Sequence, residues 1–222
     1  MTTVRPYADF IPQPPPIKSL TRILLVGAIS LAALVRGHAA SAVVGQAAPD
    51  FALTDISGQP RSLADFKGRT VVLEWVNPLC PFVVKHYEKS GNIPRTQQAA
   101  RADGVVWLQI NSGHPGAQGD YAPAAVAAWQ QRNAVAATAY FRDQHGAVGR
   151  LYDARTTPHL YVIDPAGILV YAGGIDDIRS SKVADIAQAT NLVTAALADL
   201  KAGRPVRTKN SQPYGCAVKY AD

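Results

Sequence analysis

Hydrophobic and polar positions alternate between strand-like and helix-like rhythms along the chain. Thr70 to Val76 is β-branched or apolar except at Glu74, the pattern of a strand buried on both faces of a parallel sheet. Val105 to Ile110 repeats it and runs into a Gly-rich loop from Ser112 to Gly119. Between these strands, Pro81 to Tyr87 and Arg95 to Arg101 read as helix broken near Gly91 to Pro94, and Pro123 to Gln131 reads as an Ala-rich helix. Leu160 to Asp164 and Ile168 to Ala172 flank Pro165-Ala166-Gly167, a hairpin by its turn chemistry. Lys182 to Leu200 has apolar residues at Val183, Ile186, Ala187, Val193, Leu197 and Leu200, predicting one long amphipathic helix closed by Gly203 and Pro205. Upstream, Phe51 to Thr54 before Ser57-Gly58 predicts a short strand and turn, and Ser62 to Gly68 a capped helical turn. The order predicts an α/β domain: a central mixed β-sheet flanked by helices, with an N-terminal strand extension and a C-terminal tail.

With 222 residues, 48% of them hydrophobic and 17% charged, the chain is a folded globular protein of one domain plus appendages. Its net charge of +6 is no sign of a nucleic-acid partner. Arg5, Lys18, Arg22 and Arg36 against Asp9 alone carry half of it, and the remainder is scattered without basic clusters. Those N-terminal charges precede or close an uncharged run from Ile23 to Val35, and Ala40-Ser41-Ala42 follows. A positive segment, a short apolar run and an A-x-A site predict a secretory signal cleaved after Ala42. The run is shorter than the roughly 20 residues that span a bilayer, so no stable membrane span is expected in the mature chain. The division expected is 1–42 signal peptide, 43–202 folded domain and 203–222 tail, with a periplasmic or secreted destination where disulfides persist.

Two cysteines, Cys80 and Cys216, are too few for a zinc module or a disulfide scaffold, but enough for one redox pair or bridge. Cys80 follows a buried strand, and Pro81 suits the first position of a helix. At a helix start the unpaired amides and the dipole favour a thiolate over a thiol. The plainer alternative is a buried cysteine packed as a small hydrophobe.

Ala48-Pro49-Asp50-Phe51, the Ser62 to Gly68 segment, the strand ending at Trp75, Cys80-Pro81, Thr157-Pro158, Val162-Ile163-Asp164 and Gly167 stand in a family order. From about Ala48 to Leu200 the chain resembles the thioredoxin-like redoxins, the group containing the AhpC/TSA peroxiredoxins and thioredoxin-like reductases. The resemblance implies a thioredoxin fold, thiol redox chemistry without a cofactor, and Cys80 as the attacking sulfur. It implies that Thr157-Pro158 is a cis-proline turn facing Cys80, with Thr157, Pro158 and Pro81 lining the place where a substrate chain lies. It also matches Glu74 to a buried acid that moves protons under the thiol; a strand-end carboxyl bonded near the surface is the equal alternative. Val83 stands where C-x-x-C would put its second cysteine, which excludes dithiol exchange within one helix turn. Leu73 and Asn77 replace the Pro and Thr of the peroxiredoxin P-x-x-x-T-x-x-C, although the Asn77 amide retains a donor for a sulfur or peroxide oxygen.

Cys216 is then the expected partner of Cys80, reached by a tail flexible through Gly203, Pro205 and Pro213, with Tyr214, Val218 and Tyr220 docking on apolar surface. The pair is either a structural bridge or an attacking and resolving pair, and the reactive setting of Cys80 favours the second. The partners expected are thiol or disulfide proteins, or peroxide, and an electron donor that no motif names. Lys85 and His86 fall off the face of Cys80 and are expected to be solvated or packing residues, His114 and His145 to be surface loop residues. His159 can face either side, and no metal site is expected.

Overall fold

A computed structural model describes residues 1–3, 13 and 41–221. The chain divides into two units, Met1–Arg36 and Gly37–Asp222, and the apolar run Ile23 to Val35 lies outside the described residues. Among the described residues no helix is long and apolar enough to cross a membrane.

In the second unit a short hairpin, β1 (Ala52–Thr54) and β2 (Pro60–Ser62), precedes the central sheet. The sheet is built from β3 (Val71–Trp75), β4 (Val106–Asn111), β5 (Ala139–Arg142), β7 (His159–Ile163) and β8 (Leu169–Gly173), in the order β5-β4-β3-β7-β8. β3 pairs in parallel with β4 and antiparallel with β7, so both its neighbours are strands. All five of its residues are buried, as its unbroken apolar run requires. The pleat sorts the side chains into two cores. Val72, Val76, Trp107, Tyr140, Leu160, Val162 and Tyr171 pack with Cys80, Val83 and Tyr87 under one set of helices. Leu73, Trp75, Leu108, Phe141 and Tyr161 face the other way, against Phe51, Phe66 and Tyr152.

The first core is roofed by α1 (Pro81–Val84), continued by a wide turn over Lys85–Lys89, then α2 (Asn92–Ala102), α3 (Pro123–Arg132) and α5 (Leu192–Lys201). α4 (Ala147–Leu151) lies on the second core through Val148. α2 starts at Asn92 rather than beyond Pro94, because a proline in a helix's first turn surrenders no intrahelical bond. The long helix expected over Lys182 to Leu200 is two pieces, a tight 3-10 turn at Val183–Ala187 and then α5. Asn191 caps α5, its side-chain oxygen accepting Thr194 N–H at 2.9 Å, while Asp177 takes Thr190 N–H at 2.8 Å. These local bonds compete with helix through residues 188–191. β5, α4 and the two-residue β6 (Thr156–Thr157) have no counterpart in the sequence reading.

The C-terminal tail is docked along its length rather than loose. Ser211 N–H and Lys209 C=O bond to Ala172 at 3.1 Å each, Val218 N–H donates to Arg155 C=O at 3.0 Å, and Lys219 C=O accepts from His114 N–H at 2.8 Å. Between these ties, β9 (Cys216–Ala217) pairs antiparallel with β6, Thr157 opposite Cys216.

Candidate active site: Cys80, Cys216 and the turn at Pro158

Cys80 stands at the cap of α1: its N–H donates to Asn77 C=O at 3.0 Å, its carbonyl accepts Val84 N–H at 2.8 Å, and Pro81 occupies the first helical position. The residue is fully buried. Its thiol donates to Thr157 C=O at 3.0 Å, and the Thr157–Pro158 bond is cis. The strand pairing brings Cys216 N–H to 3.4 Å from Cys80 Sγ. Both cysteines are free thiols, Cys216 partly exposed. Burial, together with a hydrogen bond to Cys80, pushes the Cys216 thiol up to about 12, so it holds its proton at neutral pH. Two thiols 136 residues apart in sequence thus share one hydrogen-bonding site.

Glu74 is fully buried and is not a surface strand end. Tyr87 OH donates to its two oxygens at 2.6 and 2.8 Å, Trp107 Nε1 at 2.7 Å and Gln97 Nε2 at 3.2 Å, with Gln109 Nε2 at 3.5 Å. Among the described residues no cation joins these donors, so burial dominates and raises the carboxyl to about 7. Asn77 is engaged by the neighbouring loop. Its Nδ2 donates to Gln118 C=O at 3.0 Å and its Oδ1 accepts Leu79 N–H at 2.9 Å, so its amide pins the Gly-rich loop to the turn before Cys80. His159 points away from Cys80, its Nδ1 lying 3.0 Å from Tyr161 OH in the second core.

Of the two roles expected for Lys85 and His86, solvated or packing, the structure shows packing: both are fully buried, because the chain after β8 and the tail cover that side of the helix. Lys85 Nζ donates to Ser180 C=O at 2.8 Å and lies 4.0 Å from Asp176 Oδ2. Asn92 Nδ2 donates to His86 Nδ1 at 3.0 Å, which leaves His86 Nε2 to donate to Tyr214 OH at 3.2 Å. Tyr214 in turn donates to Asp176 Oδ1, and its ring meets Phe82 edge to face at 5.8 Å. Burial holds His86 down at about 3 and raises the Asp176 carboxyl. Tyr214 of the tail is therefore anchored through a polar cluster, not only on apolar surface. The one sequence signal for it is a tyrosine two residues before the second cysteine.

The AhpC/TSA family model matches residues 44–172. The chain belongs to the AhpC/TSA family. Its fold is thioredoxin-like, with the mixed sheet and cis-proline turn described above. The family match ends at Ala172, so Asp176, Tyr214 and Cys216 all lie beyond it. No curated protein sequence matches the chain. Among solved structures, a hypothetical protein from Sinorhizobium meliloti 1021 is 26% identical, with a TM-score of 0.68, covering 82% of this chain and 96% of its own. An uncharacterized conserved protein from Geobacillus kaustophilus is 29% identical, with a TM-score of 0.70, covering 81% and 93%. A secreted disulfide oxidoreductase of Mycobacterium tuberculosis is 21% identical over 54% of this chain and 79% of its own, with a TM-score of 0.43.

Proposed function

We propose that this redoxin-family protein is a thiol-disulfide oxidoreductase in which Cys80 attacks and Cys216 resolves. The observation that carries the reading is the β6–β9 pairing, which holds Cys216 N–H 3.4 Å from Cys80 Sγ. In the reducing direction the Cys80 thiolate attacks one sulfur of a substrate disulfide, and the other substrate sulfur leaves as a thiolate and takes a proton. Cys216 then gives up its proton and attacks Cys80 Sγ, expelling the substrate thiolate and leaving a Cys80–Cys216 disulfide. Two electrons pass to the substrate, and an external dithiol restores the pair; every step is reversible. Thr157, Pro158 and Pro81 frame the entry to Cys80. Asn77 and Glu74 support the turn and the helix from either side without touching the sulfur. Peroxide is the alternative oxidant, through a Cys80 sulfenic acid that Cys216 condenses with loss of water. Residues 1–42 act as an export signal, 43–202 as the redoxin domain and 203–222 as the cysteine-bearing tail, working in the periplasm or outside the cell.

A second reading rests on the complete burial of Cys80 and the many ties of the tail: the pair forms a permanent bridge. The test is disulfide exchange with a glutathionylated peptide by wild type, Cys80→Ser and Cys216→Ser, with the pair's reduction potential. The expected result is no exchange by Cys80→Ser and a trapped mixed disulfide on Cys216→Ser. Undiminished exchange by Cys80→Ser sinks the proposal. A potential below about −300 mV, with a loss of about 5 kcal/mol in Cys216→Ser, establishes the structural bridge instead.

A further inference from the structure

Cys80 is completely buried, and this chain's own tail lies against its sulfur, with Cys216 N–H at 3.4 Å. β6 is only two residues long and pairs with β9 alone, so its edge holds one strand at a time. A substrate disulfide therefore meets Cys80 only after β9 has left, and the natural occupant of the vacated edge is another extended chain.

The seat left by the tail reads three consecutive residues. At the position of Cys216, a cysteine faces Cys80. At the position of Gly215, φ is +148°, and an added Cβ would stand 2.0 Å from Thr157 O and 2.6 Å from its carbonyl carbon; only glycine passes over the Thr157–Pro158 peptide. At the position of Tyr214, Phe82 packs the ring while Asp176 Oδ1 and His86 Nε2 take and give hydrogen bonds to the hydroxyl. Asp176 Oδ2 is buried there with no hydrogen-bond partner among the described residues, so an occupant without a phenolic donor leaves the carboxylate with the weaker contacts of Ile178 N–H at 3.3 Å and Lys85 Nζ at 4.0 Å. Leu79, just before Cys80, is 46% exposed and gives the rim of the seat an apolar contact for a longer partner.

We propose that this seat is a substrate-binding site for extended polypeptide segments carrying Tyr-Gly-Cys, with that cysteine in a disulfide, and that substrate and tail exchange on the edge of β6. The inference rests on the reading of Cys80 as attacking thiol and Cys216 as resolving thiol. It orders the cycle by strand exchange. The tail leaves, the substrate strand seats, and Cys80 takes the substrate cysteine into a mixed disulfide, with the substrate's other sulfur departing as a thiolate. The returning tail then brings Cys216 to Cys80 and displaces the strand it resembles.

The test uses the full chain carrying Cys216→Ser and the peptide Tyr-Gly-Cys-Ala-Val-Lys-Tyr, its cysteine presented as a mixed disulfide with thionitrobenzoate. Attack by Cys80 on the peptide sulfur releases coloured thionitrobenzoate, and mass spectrometry identifies the adduct. The expected result is a rate at least about tenfold above that of the peptide with Ala for Gly or Ser for the first Tyr, since each loses a clash-free seat or a charge-assisted bond. Adding Tyr214→Ala to the protein weakens the intramolecular competitor and is expected to raise the parent peptide's rate by about tenfold or more. Equal rates for all three peptides, with rapid reaction toward free dithionitrobenzoate, overturn the inference and leave the thiol chemistry intact. No reaction of Cys80 with any of these reagents, in a protein whose circular dichroism matches wild type, overturns both. Equal rates for the three peptides in the Tyr214→Ala background also overturn it, because the tail then acts only as a cover and its seat reads nothing.

Discussion

Replacing Glu74 by glutamine isolates the buried acid of β3. With the carboxyl raised from 4.5 to about 7, the folded protein keeps a proton that the unfolded chain gives up, and stability falls as pH rises through that window. Integrated between about pH 5 and pH 8, the loss is about 2.5 kcal/mol, and nearly all of it is complete by pH 8. Wild type alone hides this effect. His86 and His159, held by burial at about 3 and about 4, are neutral in the fold but charged in the unfolded chain below about 6.5. Each therefore destabilises by about 2 kcal/mol at about pH 5 and by nothing at pH 8, opposite in sign to Glu74. Asp55 and Asp199, both near 2, complete their contribution below this range. The quantity to measure is the stability change from pH 5 to pH 8 in wild type minus that in Glu74→Gln. Urea unfolding under a phosphine reductant, followed by the fluorescence of buried Trp75, Trp107 and Trp129, supplies it. The variant is expected to gain about 2.5 kcal/mol on wild type across the interval, whatever its offset from rearranged bonds to Tyr87 and Trp107. A difference below about 1 kcal/mol would falsify the claim that Glu74 is buried without a compensating cation.

Tyr214→Phe removes the hydroxyl that bonds Asp176 and His86, and is expected to cost about 2 kcal/mol in urea unfolding and to speed iodoacetamide labelling of Cys80; unchanged labelling means that the tail is held by its other ties. Gly215→Ala forces a Cβ against Thr157 C=O and is expected to cost about 1–3 kcal/mol and to expose Cys80, read by the same two measurements. Gly119→Ala drives a Cβ into the Asn77 amide, 2.0 Å from Oδ1, and is expected to loosen the Gly-rich loop, seen as faster hydrogen exchange at residues 113–120 with little change at β3.

Strands whose burial is intrinsic were readable in the sequence, and those that borrow burial from distant chain were not. β3, β4 and the β7–β8 hairpin announce themselves by unbroken apolar runs and turn residues. β5 is Ala-Tyr-Phe-Arg, too short and mixed to stand out, and it becomes a strand because β4 offers it a parallel edge. Periodicity set Lys85 and His86 off the Cys80 face, correctly for an isolated helix. Their burial depends on Asp176 and Ser180, about ninety residues onward, and on Tyr214 of the tail. The same holds at the site: Cys80, Pro81 and Thr157-Pro158 were legible because each carries its geometry in neighbouring residues. The environment that seats Cys216 is assembled across 136 positions and left only two local marks, a glycine before the cysteine and a tyrosine before that.

That separation changes which event governs the chemistry. In a C-x-x-C helix both sulfurs ride on one rigid turn, and resolution needs no segment to move. Here Val83 occupies the fourth position and the second thiol arrives on a strand held by Arg155, His114 and Asp176. If substrate and tail exchange at β6 as proposed, Cys80 faces a substrate only in the fraction of molecules whose β9 is unpaired, and the observed capture rate is the intrinsic rate scaled by that fraction. Each kcal/mol removed from the Tyr214 anchor should therefore speed capture by about fivefold until the tail is mostly open. Resolution has the opposite dependence, since an open tail lowers the effective concentration of Cys216 at the mixed disulfide. On that cycle, turnover should pass through a maximum at an intermediate anchor strength. A series at Tyr214, with Phe, Leu and Ala replacing tyrosine, should raise capture steadily while resolution falls, and stopped-flow of the two half-reactions separates them. If both half-reactions change in the same direction across the series, the tail does not alternate with substrate, and the two thiols meet by some motion other than the opening of β9.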